Sequence, residues 1–407
     1  MKVLIANTLY FPDEPGGAEV STRLLAEGLV KAGVDVCVVC ATGSGIDRVD
    51  EINGVRVYRL RSVNLYWPHQ RQKRNRVVKL IWHAIDVHNI IMSRKLSEII
   101  AREKPDVIST GNLSCLSIDI WRLARNAGVP VVHTVRDYYL MCPGATMCAQ
   151  GKPCTRQCHV CAFYAEPKRA ASARVAVAVG VSRFVLQKHL DRGYFSRAGR
   201  TAVVHNAFEP FEDSGASRRA RRHERGPVRL GLLGRVSREK GLELLLEQLL
   251  ADDTLQWTLA VGGTGDADYL SSVTSKYQDA RVEYLGRMKS GEFFENIDIL
   301  VVPSIWNEPF GRVTVEAYSH GVPVVGANTG GTPEIIDPRS NLVFDIARPS
   351  SIIGKLHEAV ALLEDPSTHE RLREYAKRFN VNAMIDSYIE LYESVLVRQP
   401  IPRVVGQ

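Results

Sequence analysis

No uninterrupted apolar run in this chain approaches the roughly 18 residues that a bilayer-crossing helix needs, which argues against a membrane span. The opening MKVLIANTLY is apolar only as far as Asn7. Asp13-Glu14-Pro15 then follow without a small-residue cleavage site, so a secretory leader is not expected either. Lys2 to Ala6 reads instead as a first buried strand. A short internal repeat is also missing, which excludes a solenoid or propeller. The apolar fraction of 45% and charged fraction of 24% are ordinary for globular proteins, so wholesale disorder is excluded as well. A surplus of acid is absent: the net charge is +7, which favours anionic partners. A cytoplasmic protein is expected, with the option of lying peripherally on the inner face of a membrane.

At 407 residues the chain exceeds the size at which a single core stops growing, so two domains are expected. KVLIA, DVCVVC, DVIST, PVVHTV and VAVAVGV read as strands, with helical spacing over Glu19 to Ala32 and Val77 to Glu103. After Val203 to Asn206 the text turns polar and basic, EDSGASRRARRHERGP, as a linker does. A second alternating series then runs through VRLGLLG, WTLAVGG, RVEYLG, IDILVVPS and PVVGA, and helical spacing fills the chain from Ser351. The expected division is 1–206, a linker over 207–227, 228–380, and a helix and tail over 381–407 that returns to the first domain. The fold class is α/β, with two Rossmann-like domains. In such sheets ligands bind beyond the carboxyl ends of the strands, which points to a central cleft between the halves.

Three stretches carry chemistry. In LLGRVSREKGLELLLEQLL (232–250) a strand ends at Gly234, Arg235 and Lys240 add positive charge, and Gly241 opens a helix. Those parts suit a diphosphate, although a strand–helix turn with solvated bases has the same text. AVGGTGDADYL (260–270) lacks the spacing of a dinucleotide fingerprint; Asp266 and Asp268 read as a helix N-terminal acid pair, not a metal site. In NEPFGRVTVEAYSHGVPVV (307–325) Gly311 breaks the chain before a helix expected over Val313 to His320. This places Glu308 in the loop and Glu316 in the first turns. A carboxylate accepts well from the vicinal hydroxyls of a ribose or hexose, and main-chain N–H groups of Phe310 to Arg312 can meet a sugar or phosphate. A capping role for Glu316 competes with that assignment.

Several of these motifs, in order, resemble the retaining glycosyltransferases of family 4. They are Gly234-Arg235 running to Lys240-Gly241, Gly263-x-Gly265-Asp266, Tyr284-Leu285-Gly286, Pro303-Ser304, and Glu308-x7-Glu316. Gly321-Val-Pro323-Val, Gly330-Gly331-x-Pro333-Glu334 and the N-terminal Gly16-Gly17-Ala18-Glu19 fit too. The resemblance covers essentially the whole chain and implies the GT-B fold. It also implies transfer of a sugar, with retention, from a nucleotide diphosphate sugar to a lipid-linked or polysaccharide acceptor in surface glycan synthesis. A UDP-sugar is favoured, and no metal is required for transfer. By the same resemblance Arg235 and Lys240 neutralise the departing diphosphate, Glu316 holds the ribose, and Glu308 holds the sugar hydroxyls. Phe310, Gly311, Arg312 and Val313 assist, Gly234 and Gly263 give close backbone approach, Arg287 and Met288 border the base, and Gly16 and Gly17 approach the phosphates. One departure stands out. Many relatives carry a His-Asp pair after the strand read here as PVVHTV, whereas this chain has Arg136-Asp137. Arginine cannot take up a proton, but it stabilises negative charge, and Asp137 is a candidate to orient acceptor or donor. His133, three residues earlier, reads as a satisfied buried imidazole.

CPGATMCAQGKPCTRQCHVC (142–161) bunches five of the eight cysteines. Its last three match the spacing of a radical-type iron–sulfur ligand set, in the wrong fold context. A structural zinc on four of Cys148, Cys154, Cys158, Cys161 and Cys142 competes with plain reduced thiols. Arg71, Lys73, Arg74 and Arg76, and the linker bases Arg218, Arg219, Arg221, Arg222 and Arg225, suit anionic lipid better than nucleic acid, because no aromatic interleaving accompanies them. Two rival functions stay open: a catalytically silent nucleotide-sugar-binding scaffold, motivated by Arg136, and a sugar-nucleotide epimerase, against which Glu308-x7-Glu316 argues.

Overall fold

The computed structural model describes residues 1–13, 16–70, 74–149, 151–208 and 226–397. The chain divides into two compact units. One takes Met1–Thr146, Arg156–Ala207 and the chain from Val381 on; the other takes Met147–Thr155 and Phe208–Asn380.

The first unit is built on a sheet of eight strands. These are β1 (Lys2–Ala6), β2 (Asp35–Thr42), β3 (Arg48–Ile52), β4 (Val55–Arg61), β5 (Val107–Thr110), β6 (Val131–Val135), β9 (Val177–Gly180) and β10 (Arg200–Val203), ordered 10-9-6-5-1-2-4-3. All neighbours are parallel except β3, which pairs antiparallel with β4. β1, β5, β6 and β9 are almost wholly buried, which explains their mainly apolar text: a parallel strand covered on both faces has no polar side to show, and the polar Ser109, Thr110, His133 and Thr134 all find hydrogen-bond partners. The β3–β4 hairpin turns at Asn53 and Gly54, both at positive φ (50° and 77°). An Asn-Gly pair favours this turn because both residues tolerate the left-handed region.

Helical spacing over Val77 to Glu103 suggested one helix, but the structure has two, Arg76–Val87 and Ile90–Glu103. The break falls at His88-Asn89, where the Asn89 side chain accepts from the Met92 N–H at 3.0 Å and caps the second helix. The C-terminal helix Val381–Leu396 packs in the core of this same unit. It buries Met384, Ile385, Tyr388, Leu391, Tyr392 and Val395. Gly28 makes room for it: a Cβ there would lie 2.6 Å from Ile385 Cδ1. Tyr388 Oη meets Thr134 Oγ1 at 2.9 Å, and Tyr392 Oη donates to Ser109 Oγ at 2.9 Å, so two strands of the sheet are tied to the helix.

The short strands β7 (Cys148–Ala149) and β8 (Lys152–Pro153) pair only with each other. The cysteine-rich loop was expected to belong whole to the first domain. Met147–Thr155 instead groups with the second unit, and its hairpin is hydrogen-bonded into neither large sheet.

The second unit has six parallel strands. They are β11 (Val228–Leu233), β12 (Trp257–Gly262), β13 (Val282–Gly286), β14 (Ile299–Val302), β15 (Val324–Ala327) and β16 (Val343–Phe344), ordered 13-12-11-14-15-16. The order reverses direction at β11, between β12 and β14. Loops leaving the carboxyl ends of neighbouring strands diverge there, the usual place for a ligand in a doubly wound sheet.

Candidate active site

The turn Arg238–Lys240 follows β11, and the stretch 303–311 follows β14. Main-chain bonds from Ile305 N (2.9 Å) and Trp306 N (3.3 Å) to the Glu239 carbonyl stitch the two together. Gly241, at φ 79°, lets the turn sit close: a Cβ there would stand 1.9 Å from the Pro303 carbonyl oxygen.

This stitching brings Lys240 to Glu308. The Lys240 Nζ lies 2.7 Å from Glu308 Oε1, and the Ser304 hydroxyl donates to the same oxygen. Glu308 is only 5% exposed. Burial pushes its carboxyl up, but the Lys240 ammonium and the donors from Ser304 and Trp306 outweigh that and hold it below the ordinary carboxylate range. Its main chain is equally fixed: the Gly331 N–H donates to the Glu308 carbonyl at 2.7 Å. Gly330, at φ 59°, leaves no space for a Cβ, which would come 2.4 Å from Glu308 N.

The second carboxylate lies in the helix Arg312–Ser319, one residue earlier at each end than the spacing suggested. Glu316 Oε1 takes both Nη2 (2.7 Å) and Nε (2.9 Å) of Arg312, an i,i+4 ion pair. Arg235 pairs with Glu239 Oε1 at 2.8 Å, and its side chain stays 60% exposed. A recess thus gathers Arg235, Lys240, Glu308 and Val313, with Ser304 at its wall. Gly234 and Gly263 face each other across the strand ends, where a Cβ on Gly263 would stand 1.7 Å from the Gly234 carbonyl oxygen. Glycine is needed there for strand-to-strand approach whatever the ligand. Arg287 is exposed and Met288 half-buried just past β13. The Phe310 ring is 3% exposed and packs edge-on against Phe379 at 6.1 Å. What Phe310 offers a ligand is therefore its main chain, not its ring. Asp266 accepts from Tyr269 N at 3.0 Å as the N-cap of Ala267–Lys276, the structural role its position suggested.

The first unit holds a second recess at the end of β6, lined by Gly111, Asn112, Arg136, Asp137 and Tyr139 among others. Arg136 is 8% exposed and donates from Nη1 to Asn206 Oδ1, while its Nε is buried without a hydrogen-bond partner among the described residues. Asp137 Oδ1 accepts from Tyr139 N at 2.8 Å. Burial pushes the Asp137 carboxyl up to about 6, against the opposing pull of that N–H and of Lys168. Lys168 is 2% exposed, donates to the Tyr139 carbonyl at 2.8 Å and stands 3.4 Å over its ring. His133 sits inside β6, meets Thr110 Oγ1 at 2.8 Å, and is packed by Trp121 and Phe195. Burial drives its imidazole down to about 3, so it is a neutral core group. Gly16 and Gly17 open the helix Gly17–Lys31.

The zinc tetrad Cys148, Cys154, Cys158 and Cys161 is not assembled. Among the described residues no group of three or more His, Cys, Asp or Glu is placed to hold a metal ion. Cys142 and Cys161 do approach, with sulfurs 3.8 Å apart. Arg71, Lys73 and the linker bases lie outside the described residues. Among the described residues no helix is long and apolar enough to cross a membrane. Two polar partners, Ser304 and Asn206, had no role assigned from sequence. Arg312 was assigned to the donor but serves here as the partner of Glu316, which its i,i+4 spacing already signalled.

Two family models match the chain: the glycosyl transferase 4-like domain over residues 16–207 and the glycosyl transferases group 1 over 213–379. An uncharacterized 42.6 kDa protein in the cps region of Klebsiella pneumoniae is 31% identical over 397 residues, spanning 97% of this chain and all (100%) of the relative. Among solved structures, the sucrose-phosphate synthase of Thermosynechococcus elongatus superposes with a TM-score of 0.74 at 19% identity, covering 98% of this chain and 100% of that one. Anabaena HepE in complex with UDP gives 0.67 at 17% identity, covering 97% and 100%. With two Rossmann-like units of GT-B type and both family models in register, the chain belongs to the group 1, family 4 glycosyltransferases.

Proposed function

We propose that this glycosyltransferase moves a hexose from a nucleotide diphosphate sugar, a UDP-sugar in first instance, to a lipid-linked or polysaccharide acceptor with retention of configuration. The observation that carries the reading is the Lys240–Glu308 pair, with Glu308 buried, in the recess beyond β11 and β14 that Arg235 also lines, together with the Arg312–Glu316 pair on the helix that follows. The cps region named for the Klebsiella relative supports a surface polysaccharide as the product class, and the UDP complex of the Anabaena protein supports the choice of base.

The chemistry follows from charge. As the sugar–phosphate bond lengthens, negative charge builds on the diphosphate, and Lys240 and Arg235 are fixed cations beside the strand ends where it collects. Each is held by a carboxylate, Glu308 and Glu239, so it is positioned before the ligand arrives. Glu308 presents a carboxylate that stays ionised and accepts from sugar hydroxyls; Glu316 offers Oε2 to the ribose while Arg312 holds Oε1. Because Arg136 cannot act as a base, the departing phosphate takes the acceptor proton. Arg136, with its buried Nε, holds acceptor-side negative charge, and Asp137 orients the acceptor hydroxyl. No divalent metal enters these steps.

A membrane-bound acceptor is supported by the surface around the helix Arg76–Val87. Val77 (61% exposed), Ile81 (48%) and Ile90 (69%) stand out beside Arg74, Arg76 and Lys79. Exposed apolar side chains on a helix that also carries bases suit an anionic interface. Flotation with anionic vesicles that weakens in salt is expected; equal binding to neutral vesicles at high salt would count against it.

The decisive experiment is calorimetry with UDP-, GDP- and ADP-sugars, with and without magnesium, on the wild type and Glu316→Ala. One nucleotide series should bind equally well in both conditions, and the substitution should abolish it. Binding of no series by the folded protein overturns the assignment. Binding without turnover on any acceptor would favour the silent scaffold.

A further inference from the structure

We propose that Cys158 and Cys161 form a peroxide-reactive dithiol that closes to a disulfide at the start of the helix His159–Ser172. This rests on the thiol geometry alone and is independent of the donor site.

Three cysteines of the first unit meet here. Cys158 is the N-cap of a helix of 14 residues, and its sulfur accepts from the Cys161 N–H at 3.4 Å. It is exposed, whereas Cys161 is half-buried and its sulfur lies 3.8 Å from that of Cys142. A main-chain N–H aimed at the sulfur, together with the positive end of the helix dipole, stabilises a thiolate at the N-cap. The buried Lys168 ammonium interacts electrostatically with Cys142 and Cys161, adding positive charge on the inner side. An exposed thiolate followed three residues later by a shielded thiol is the arrangement in which the first sulfur attacks and the second resolves. The same sulfurs do not form a metal-competent group among the described residues, so they are not otherwise engaged in that way. Cys37, Cys40 and Cys115 differ from Cys158: all three are buried in the core, and burial pushes the thiols of Cys37 and Cys40 up to about 12, as it also raises that of Cys161, whereas the Cys161 N–H holds the Cys158 thiol below its ordinary value.

The steps balance with hydrogen peroxide as oxidant. The Cys158 thiolate attacks one peroxide oxygen, the O–O bond breaks, and the leaving hydroxide takes a proton to become water, giving the sulfenic acid. The Cys161 sulfur then attacks the Cys158 sulfur, the S–O bond breaks, and a second water leaves. Two thiols lose two electrons and two protons, and one peroxide becomes two waters. The first two turns of this helix also carry the exposed Val160 and Phe163, and Tyr164 donates to the Leu80 carbonyl at 2.7 Å.

The test treats the reduced full-length protein with one equivalent of hydrogen peroxide and reads intact mass, peptide linkage and zinc content. A loss of two hydrogens, mapped to a Cys158–Cys161 linkage and reversed by dithiothreitol, is expected. Cys161→Ser should stop at a sulfenic acid on Cys158 that dimedone captures, and Cys142→Ser should still close the disulfide. Cys158 should alkylate with iodoacetamide at mildly acidic pH about tenfold faster in the folded chain than in guanidinium. Linkage of Cys142 to Cys161, survival of all thiols, or stoichiometric zinc that protects them until a chelator removes it would each overturn the proposal.

Discussion

At the scale of single residues, the site turns on how a buried charge is answered. Glu308 has one ammonium and one hydroxyl on the same oxygen, so removing Lys240 leaves a carboxylate 5% exposed with hydroxyl and indole donors alone. We expect Lys240→Met to cost about 2–4 kcal/mol of stability. Adding Glu308→Gln should recover part of that loss, since the pair then disappears together; a double-mutant cycle by denaturant unfolding measures it. Glu308 has a folded value below its unfolded one. Its contribution is thus present above the ordinary carboxylate range and is lost as pH falls through the lower folded value. Asp137 has the opposite sign. Its folded value rises to about 6, so the stability it contributes is full below its unfolded value and is lost as pH climbs through about 6. Asp137→Asn should therefore stabilise the protein at neutral pH, on the order of 1–2 kcal/mol after allowing for its partial exposure, with the gain vanishing near pH 4. Melting curves across that range decide this, and a gain independent of pH would refute the assignment to Asp137. None of these pairings could be read from the sequence. Glu308 and Lys240 lie 68 positions apart, and only the turn after β11 brings them together.

At the scale of elements, the alternating text was a good guide where strands are buried on both faces. β1, β2, β5, β6 and β9 of the first unit, and β11 to β15 of the second, all fall on short apolar runs bounded by turn residues. The hairpin β3–β4 is not marked by the alternating text, because RVDEI is a largely exposed edge strand and VRVYRLR carries three arginines, of which Arg59 is buried on Asp50. The Asn53-Gly54 pair between them was the available signal. The single helix expected over 77–103 failed for a related reason: periodicity persists across two helices, whereas the Asn89 cap is one side chain. Glycines proved more informative than composition suggested. At Gly241 a methyl group would strike the Pro303 carbonyl and also demand φ near 79° from an L-residue. Gly241→Ala should displace the stitched turn, costing about 2–4 kcal/mol and more than tenfold in donor affinity, with secondary structure retained. Circular dichroism together with calorimetry reads both; unchanged affinity would show that the turn's closeness does not position the site.

At the scale of the whole molecule, the C-terminal helix settles how the chain is partitioned. After Asn380 the chain leaves the second unit and supplies Val381–Leu396 to the core of the first. Six apolar side chains are buried along that helix, Met384, Ile385, Tyr388, Leu391, Tyr392 and Val395. At about 1.5–3 kcal/mol each, their removal forfeits on the order of 10 kcal/mol. That is comparable to the entire stability of a typical domain, about 5–15 kcal/mol. The loss also leaves Thr134 and Ser109 without their tyrosine hydroxyl partners, and it uncovers Gly28 opposite an empty groove. A chain ending at Asn380 should therefore lose slow amide exchange throughout β1, β5, β6 and β9, while β11, β12 and β14 keep theirs, because none of the helix packs in the second core. Hydrogen exchange read by mass spectrometry separates the two sets of strands directly. Protection lost equally from both would mean that the units do not fold independently. Protection retained in both would mean that the buried tyrosines contribute far less than their contacts imply. A milder version uses Gly28→Val, which keeps the helix but pushes Ile385 away from its seat. It should lower the melting temperature of the first unit's transition alone, and nucleotide binding at the Lys240–Glu308 recess should survive it.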